Sequence, residues 1–235
     1  KCHRKKGNYC IDNNSNILLV QDCDTDGIMS SAMLWLYIKD FYPNAKLEYI
    51  CHEHKQHGLE DIIDSIEESD YDLIILPDAS SNDYDYHERL YNAHKDVLVI
   101  DHHEAERYSY YAVVINNQLS PNYPNKSFSG AGVVYKFLMV MDEVMNKPGH
   151  SEKYMDLCAL ANVADCMSMK HPETRYYIME GLKRVQNEGF KAFINQQSYS
   201  LFKETKELGY INVAFYIVPL LNAIVRVGTM EEKRL

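Results

Sequence analysis

The sequence has little glycine and little proline, 10 and 7 residues in 235, which excludes a collagen-like or linker-like chain. It has no apolar run of about 18 residues, the length a membrane-spanning helix needs. The longest candidate, residues 28–38, is too short and follows a carboxylate cluster. No apolar segment follows the basic residues 1–6, so a secretory leader is not expected. The chain opens on Lys1 rather than Met, as a fragment or trimmed chain does. None of the six cysteines forms a C-x-x-C pair. Cys158 and Cys166 stand in apolar helical surroundings, so buried thiols in a reducing, cytoplasmic compartment are the expectation. Positive charge is scarce as well: 24 Lys+Arg against 34 Asp+Glu leave a net charge of −10. That disfavours a protein that merely coats a polyanion, but bound cations can bring positive charge to one spot.

What the sequence does have is ordinary globular material. It is 46% hydrophobic, with 19 Tyr and 7 Phe, enough for a sizeable core and against disorder. Four short apolar runs, 17–20, 47–50, 73–76 and 97–100, alternate with stretches of helical spacing at 28–41, 59–68 and 84–94. That alternation predicts βαβ units, hence an α/β fold with a mostly parallel sheet flanked by helices. Val113, Val114 and Ile115 add a possible fifth strand. After a loop rich in Asn, Ser and Pro at 116–129, helical patterns run over 130–145, 152–164, 174–186 and 212–227. The reading is one domain over 1–235, with an α/β part at about 15–116 followed by a helical region at about 130–235.

Three of the front strands lead into carboxylate or histidine: Asp22, Asp24 and Asp26 before Gly27, then Asp78, then Asp101-His102-His103. In open parallel sheets the site lies at the carboxyl ends of the strands, so these groups should converge. An EF-hand calcium loop would need a Glu six residues after the glycine, and position 33 is Met. Asp78 alone reads equally as a helix cap. Together the carboxylates would repel one another unless cations sit between them. Mixed oxygen and nitrogen ligands suit Mn²⁺ or Mg²⁺, and two such ions about 4 Å apart can drive phosphoester cleavage.

The pattern resembles the DHH phosphoesterase superfamily and, within it, the RecJ-type exonucleases specific for single-stranded DNA. Asp24-Thr25-Asp26-Gly27 is similar to the first motif, Asp78 to the second, Asp101-His102-His103 to the third and Asp165 to the fourth. Ser129-Gly130-Ala131-Gly132-Val133, and the helix with Pro219, Asn222, Ala223 and Arg226, resemble two further RecJ segments. The resemblance implies a two-metal hydrolase acting from the 5′ end of single-stranded nucleic acid. By it, Asp24 and Asp78 hold one ion, and Asp26, Asp78, His102 and Asp165 the other, with Asp78 bridging. It implies catalytic roles for His103, facing the scissile phosphate, and for Asp101, orienting His102, and a substrate contact for Arg226, with Asn222 either making another or capping the helix contact. A small-substrate phosphodiesterase, for short oligonucleotides or cyclic dinucleotides, and a non-catalytic replication adaptor are the alternatives.

The chain departs from the family at Val20, where a histidine ligand often stands four residues before Asp24, and the C-terminal DHH-associated domain of RecJ enzymes is expected to lie outside residues 1–235. With its acidic balance, single-strand binding by this chain is expected to lean on metal ions. Of the remaining polar groups, Asp22 reads as added charge beside the site, and Asp83 and Asp85 as caps of a helix start. Cys51, His52, His54 and His57 match no closed zinc set and read as a polar loop on the cleft rim, with Lys55 in reach of phosphate. Tyr108, Tyr110 and Tyr111 offer either base stacking or amphipathic packing. Gly130 and Gly132 offer either an amide for phosphate or close packing of a helix on the sheet.

Overall fold

The computed structural model describes residue 11 and residues 15–52, 57–203 and 207–229, with the side chain of Arg226 outside that set. Strand β1 (Asn16–Gln21) runs into helix α1 (Thr25–Phe41), followed by β2 (Lys46–Cys51), a short α2 (Ile63–Glu67), β3 (Leu73–Pro77), α3 (Tyr84–Asn92), β4 (Asp96–Asp101) and β5 (Val113–Asn116). All four strand pairings are parallel, in the order β2-β1-β3-β4-β5. The chain leaves β1 toward one edge of the sheet and returns as β3 on its other side. The carboxyl ends of β1 and β3 therefore flank the point where strand order reverses, the crevice in which open α/β sheets place their ligands.

The strands are apolar throughout because both faces are covered. Ile17 and Leu19 face one core with Ile75, Leu98 and Ile100, while Leu18 and Val20 face the other with Ile74, Leu76, Val97 and Val99. The first and larger core is closed by α1, by α4 (Gly130–Val144), by α5 (Met155–Ala164) and by α6 (Pro172–Lys183). The second is closed by α2 and α3. The outer helices α7 (Glu188–Gln196), α8 (Ser198–Leu201), α9 (Tyr210–Tyr216) and α10 (Val218–Val227) complete the helical region.

The fold differs from the sequence reading in four places. The pattern at 59–68 yields a helix only over Ile63–Glu67, after a turn. The pattern at 212–227 is two helices, broken at Ile217. Pro219 falls in the first turn of α10, where its missing N–H costs nothing. Helices α7 and α8 lie beyond the helical patterns read from the sequence. Asn187 caps α7 by accepting from the Phe190 N–H at 2.9 Å, and buried Asp156 anchors its approach by accepting from the N–H groups of Gln186 and Asn187. Cys158 is buried as expected, but Cys166 is exposed, because it follows the end of α5 in a left-handed backbone conformation at φ 54°. No helix among the described residues is long and apolar enough to cross a membrane.

His87 on α3 gives the fold a pH dependence of its own. The side chain is fully buried, and neither ring nitrogen has a hydrogen-bond partner among the described residues. Burial pushes the imidazole down from 6.5 to about 4. A histidine whose folded value is depressed protonates first in the unfolded chain. This contribution is therefore complete above about pH 6.5 and is lost as pH falls toward 4. The loss is about 3 kcal/mol. His87→Leu keeps the volume and removes the polar atoms, so its stability relative to wild type is expected to improve by about that amount between pH 7 and pH 4. Urea unfolding of both proteins across this range measures the difference; a pH-independent difference would show that His87 is not buried neutral.

Candidate metal centre

The loops leaving β1, β3 and β4 deliver the acidic groups to one point, and local structure fixes each of them. Asp24 caps α1, its carboxylate accepting from the Gly27 N–H at 3.0 Å. Asp26, in the first turn of α1, is buried and aims across at the start of α4, where it accepts from the N–H groups of Gly130 at 2.7 Å and Ala131 at 2.9 Å. A helix N-terminus is a natural seat for a carboxylate. Ser129 caps the same helix by accepting from the Gly132 N–H. Asp78 leaves β3 in the left-handed region at φ 65°, so β3 ends in a sharp turn rather than in a helix cap. Gly130 lies against it so closely that a Cβ would overlap the Asp78 carboxylate.

His102 stands at the middle. Its Nε2 is 3.3 Å from Asp78 Oδ1, 3.6 Å from Asp165 Oδ2 and 3.7 Å from Asp26 Oδ2. Three sets of side chains each bring one potential ligand atom per residue within 4.8 Å of the others: Asp26, His102 and Asp165; Asp22, Asp24 and Asp78; and Asp78, His102 and His103. Asp78 belongs to two of them. Asp22 Oδ2, Asp78 Oδ1 and Asp165 Oδ2 are buried without a hydrogen-bond partner. Partnerless anionic oxygens gathered in one crevice are costly. Divalent cations would satisfy them, and a set of carboxylates and imidazoles without thiolate suits the harder ions.

The electrostatics are those of a site that favours positive charge. Burial raises Asp26, and it raises Asp78 well above the usual carboxylate range with the neighbouring Asp26 and Asp24 charges adding to it. Burial likewise lifts Asp22 and Asp165 to about 6. Asp101 is the exception. Burial works to raise it, but the His103 ring and surrounding N–H groups hold it well below the usual range. Its Oδ1 accepts from His103 Nδ1 at 2.7 Å and from the N–H groups of His102 at 2.7 Å and His103 at 3.2 Å, and its Oδ2 from the Ser81 N–H. The same contact lifts His103 to about 9. Asn116 braces the turn by donating to Ser81 Oγ and to the His103 carbonyl.

The structure thus brings Asp24, Asp26, Asp78, His102, His103 and Asp165 together, and it corrects two expectations. Asp101 orients the ring of His103, not that of His102, because the turn after β4 places the His103 ring over it. Asp22 is not added charge at the margin; it joins Asp24 and Asp78 as a potential ligand. The spacing Asp22-x-Asp24-x-Asp26 on the extended approach to α1 was the signal for it. Asn222 reaches the site's edge as a tie, its Oδ1 accepting from Thr25 Oγ1 at 2.8 Å and lashing α10 to the first turn of α1. The side chain of Arg226 lies outside the described residues.

Other groups fall away from the centre. Asp83 stands at the start of α3 but accepts from the Leu59 N–H instead of capping that helix. His52 is buried, and neither it nor Cys51 joins a candidate metal group among the described residues, while His54 and Lys55 lie outside them. Tyr111 packs its ring 5.4 Å from that of Tyr91, whereas Tyr110 is exposed. Gly130 directs its amide to Asp26, and Gly132 packs against the ring of Phe128.

Known proteins share this fold. Residues 16–162 match the DHH family, N-terminal domain. YorK, an SPbeta prophage-derived protein of Bacillus subtilis provisionally named a single-strand DNA-specific exonuclease, is 44% identical over 94% of this chain, which spans 37% of YorK. The single-stranded-DNA-specific exonuclease RecJ of Bacillus subtilis is 25% identical over 92% of this chain, which spans 27% of that protein. The chain therefore covers well under half the length of either relative. Among solved structures, exonuclease RecJ bound to manganese superposes with a TM-score of 0.80 at 24% identity, over 93% of this chain and 55% of the other. RecJ of Thermus thermophilus in complex with Mn²⁺ does so with a TM-score of 0.77 at 24% identity, over 94% of this chain and 31% of the other. The fold is that of RecJ, and with the family match running from β1 into α5, the chain belongs to the DHH family.

Proposed function

We propose that the crevice holds two divalent cations, Mn²⁺ or Mg²⁺, and that this chain is the catalytic part of a RecJ-like exonuclease hydrolysing single-stranded DNA from its 5′ end. The observation that carries the reading is Asp78, a buried carboxylate shared by two candidate ligand groups whose Oδ1 has no hydrogen-bond partner. Asp22, Asp24 and Asp78 would hold one ion; Asp26, His102 and Asp165, with Asp78, the other. Bound there, the ions would lower the pKa of a water and neutralise charge on the phosphate oxygens. The relatives named as single-strand DNA exonucleases support the substrate class and the manganese-bound RecJ structures support the metal. A phosphodiesterase of small substrates and a non-catalytic adaptor have no such support.

The protein's own groups do the rest. His103 is held by Asp101 through Nδ1, and its ring is half-exposed, so Nε2 is the nitrogen left for a ligand. The Asp101 contact raises it to about 9 in the metal-free fold. It can pair with a phosphate oxygen or hand its proton to the leaving oxygen. The tie between Thr25 and Asn222 sets α10, which bears Arg226, beside the metal loop. A guanidinium on that helix suits a phosphate further along the strand.

Oligonucleotides labelled at one end or the other, incubated with the protein in Mn²⁺, Mg²⁺ or EDTA, test the reading. Mononucleotides should leave the 5′ end of single strands only when a divalent ion is present. Absence of hydrolysis by a metal-loaded protein, or release from the 3′ end, would contradict it. His103→Ala is expected to lower kcat by about 10²–10⁴-fold with Mn²⁺ binding retained in titration calorimetry. Loss of an ion in that variant would reassign His103 as a ligand.

A further inference from the structure

His57 is not part of the machinery described so far, yet it reaches into it. Its Nδ1 lies 2.6 Å from Asp22 Oδ1, the short distance of a charge-assisted hydrogen bond with the ring N–H donating. The loop that delivers it is pinned at its far side. Gly58 turns at φ 77°, a conformation that favours glycine, and a Cβ there would overlap the Asp83 carboxylate. The next residue, Leu59, donates its N–H to the same carboxylate at 3.3 Å. Asp83, which fails to cap α3, thus fixes the turn that presents His57. On its open side the ring lines, with His103, a cleft of about 340 Å³.

The effect of this contact falls on Asp22. That carboxylate is almost wholly buried. One oxygen is taken by His57, while the other, Oδ2, has no partner and belongs to the residue grouped with Asp24 and Asp78. His57 itself stands outside every candidate ligand group among the described residues. It is placed to hold a ligand rather than to be one. The strand preceding the metal loop brings no imidazole, since Val20 is apolar and packed in the core. The imidazole beside Asp22 comes instead from the loop after β2.

We propose that His57 is a positioning residue for one of the two cations: by donating to Asp22 Oδ1 it locks the carboxylate with Oδ2 turned toward the ion shared with Asp24 and Asp78. The inference rests on the two-ion reading of the crevice. Partners that orient a ligand typically contribute about 10–100-fold to metal affinity, and this one acts on one ion, because among the described residues the hydrogen bond of His57 goes to Asp22 and none joins it to Asp26, His102 or Asp165.

Calorimetric titration of the full chain with Mn²⁺, for wild type, His57→Ala and His57→Asn, separates the outcomes. His57→Ala should weaken one of two binding events by about 10–100-fold. His57→Asn, whose amide can donate in place of the ring N–H, should recover most of that loss. The half-exposed ring contributes little to the core, but His57→Ala strips buried Asp22 of its partner, so its unfolding midpoint in EDTA should fall, while that of His57→Asn should stay close to wild type; a variant that fails to fold is read through the other. Unchanged affinity in His57→Ala, equal weakening of both ions, or failure of His57→Asn to recover would each overturn the positioning role while leaving the two-ion reading intact. A wild-type chain that binds no Mn²⁺ would overturn the two-ion reading and this inference with it.

Discussion

Asp78→Asn is expected to unfold at a higher temperature than wild type in EDTA, and to lose both metal binding and cleavage. In the metal-free protein Asp78 is a liability: its side chain is buried, its Oδ1 lacks a partner, and burial together with the charges of Asp26, Asp24, Asp22 and Asp101 drives its pKa well upward. An amide removes the charge, keeps the shape and can donate to the surrounding carboxylates. Asparagine also tolerates the left-handed backbone at this position, which alanine does not. Relief of such strain at a functional site is commonly worth about 1–2 kcal/mol, a rise of roughly 2–8 °C for a chain of this size. The same change removes the carboxylate shared by two ligand groups. Cleavage should fall by more than about 100-fold, since even the partners of ligands are worth up to that much. Thermal melts in EDTA, Mn²⁺ titration and a cleavage assay on one preparation give all three readouts. A variant less stable than wild type in EDTA would mean that the carboxylate supports the fold. Retained cleavage would remove Asp78 from the metal site.

The parts of this protein that could be read in its sequence are those written in local pattern. Strands such as 73–76 and 97–100 are apolar at every position because the sheet is covered on both faces, and that leaves a plain trace. Strand ends followed by Asp or His mark the carboxyl edge of a parallel sheet, so the convergence of Asp26, Asp78 and His102 followed from topology alone. The misses at the site were decided by turn geometry and by contacts between distant segments. Nothing local distinguishes Asp101 as the partner of His103 from Asp101 as the partner of His102, since the turn geometry decides it. His57 and Asp22 are 35 residues apart, and only the Gly58 turn held by Asp83 brings them together. The break at Ile217 was within reach, because a proline inside a helical pattern is a stop signal. The cap of α7 was within reach too, with Asn187 standing just ahead of Phe190, Phe193 and Ile194.

Mn²⁺ is expected to stabilise this protein strongly at pH 7.5 and hardly at all at pH 5. Asp22 and Asp165 are raised to about 6 in the metal-free fold, and Asp78 and Asp26 are raised as well, all by burial first. The folded state therefore holds protons that the unfolded chain has released. Between the ordinary carboxylate value of 3.8 and about 6, the metal-free protein loses stability as pH rises. This runs opposite to the effect of His87, so the metal-free melts are best made on the His87→Leu background. Cations bind the deprotonated carboxylates, so their affinity climbs over the same interval. Where the carboxylates are ionised the ions replace repulsion with ligation; where they are protonated the ions have little to bind. At a free ion concentration about a hundred times Kd the gain is about 3 kcal/mol, or roughly 5–10 °C in Tm. Melts at pH 5, 6 and 7.5, in EDTA and in Mn²⁺, should show the two curves diverging as pH rises. A shift of equal size at all three pH values would mean that Mn²⁺ binds elsewhere, on groups already ionised at pH 5, and would remove the crevice between β1 and β3 as the metal centre.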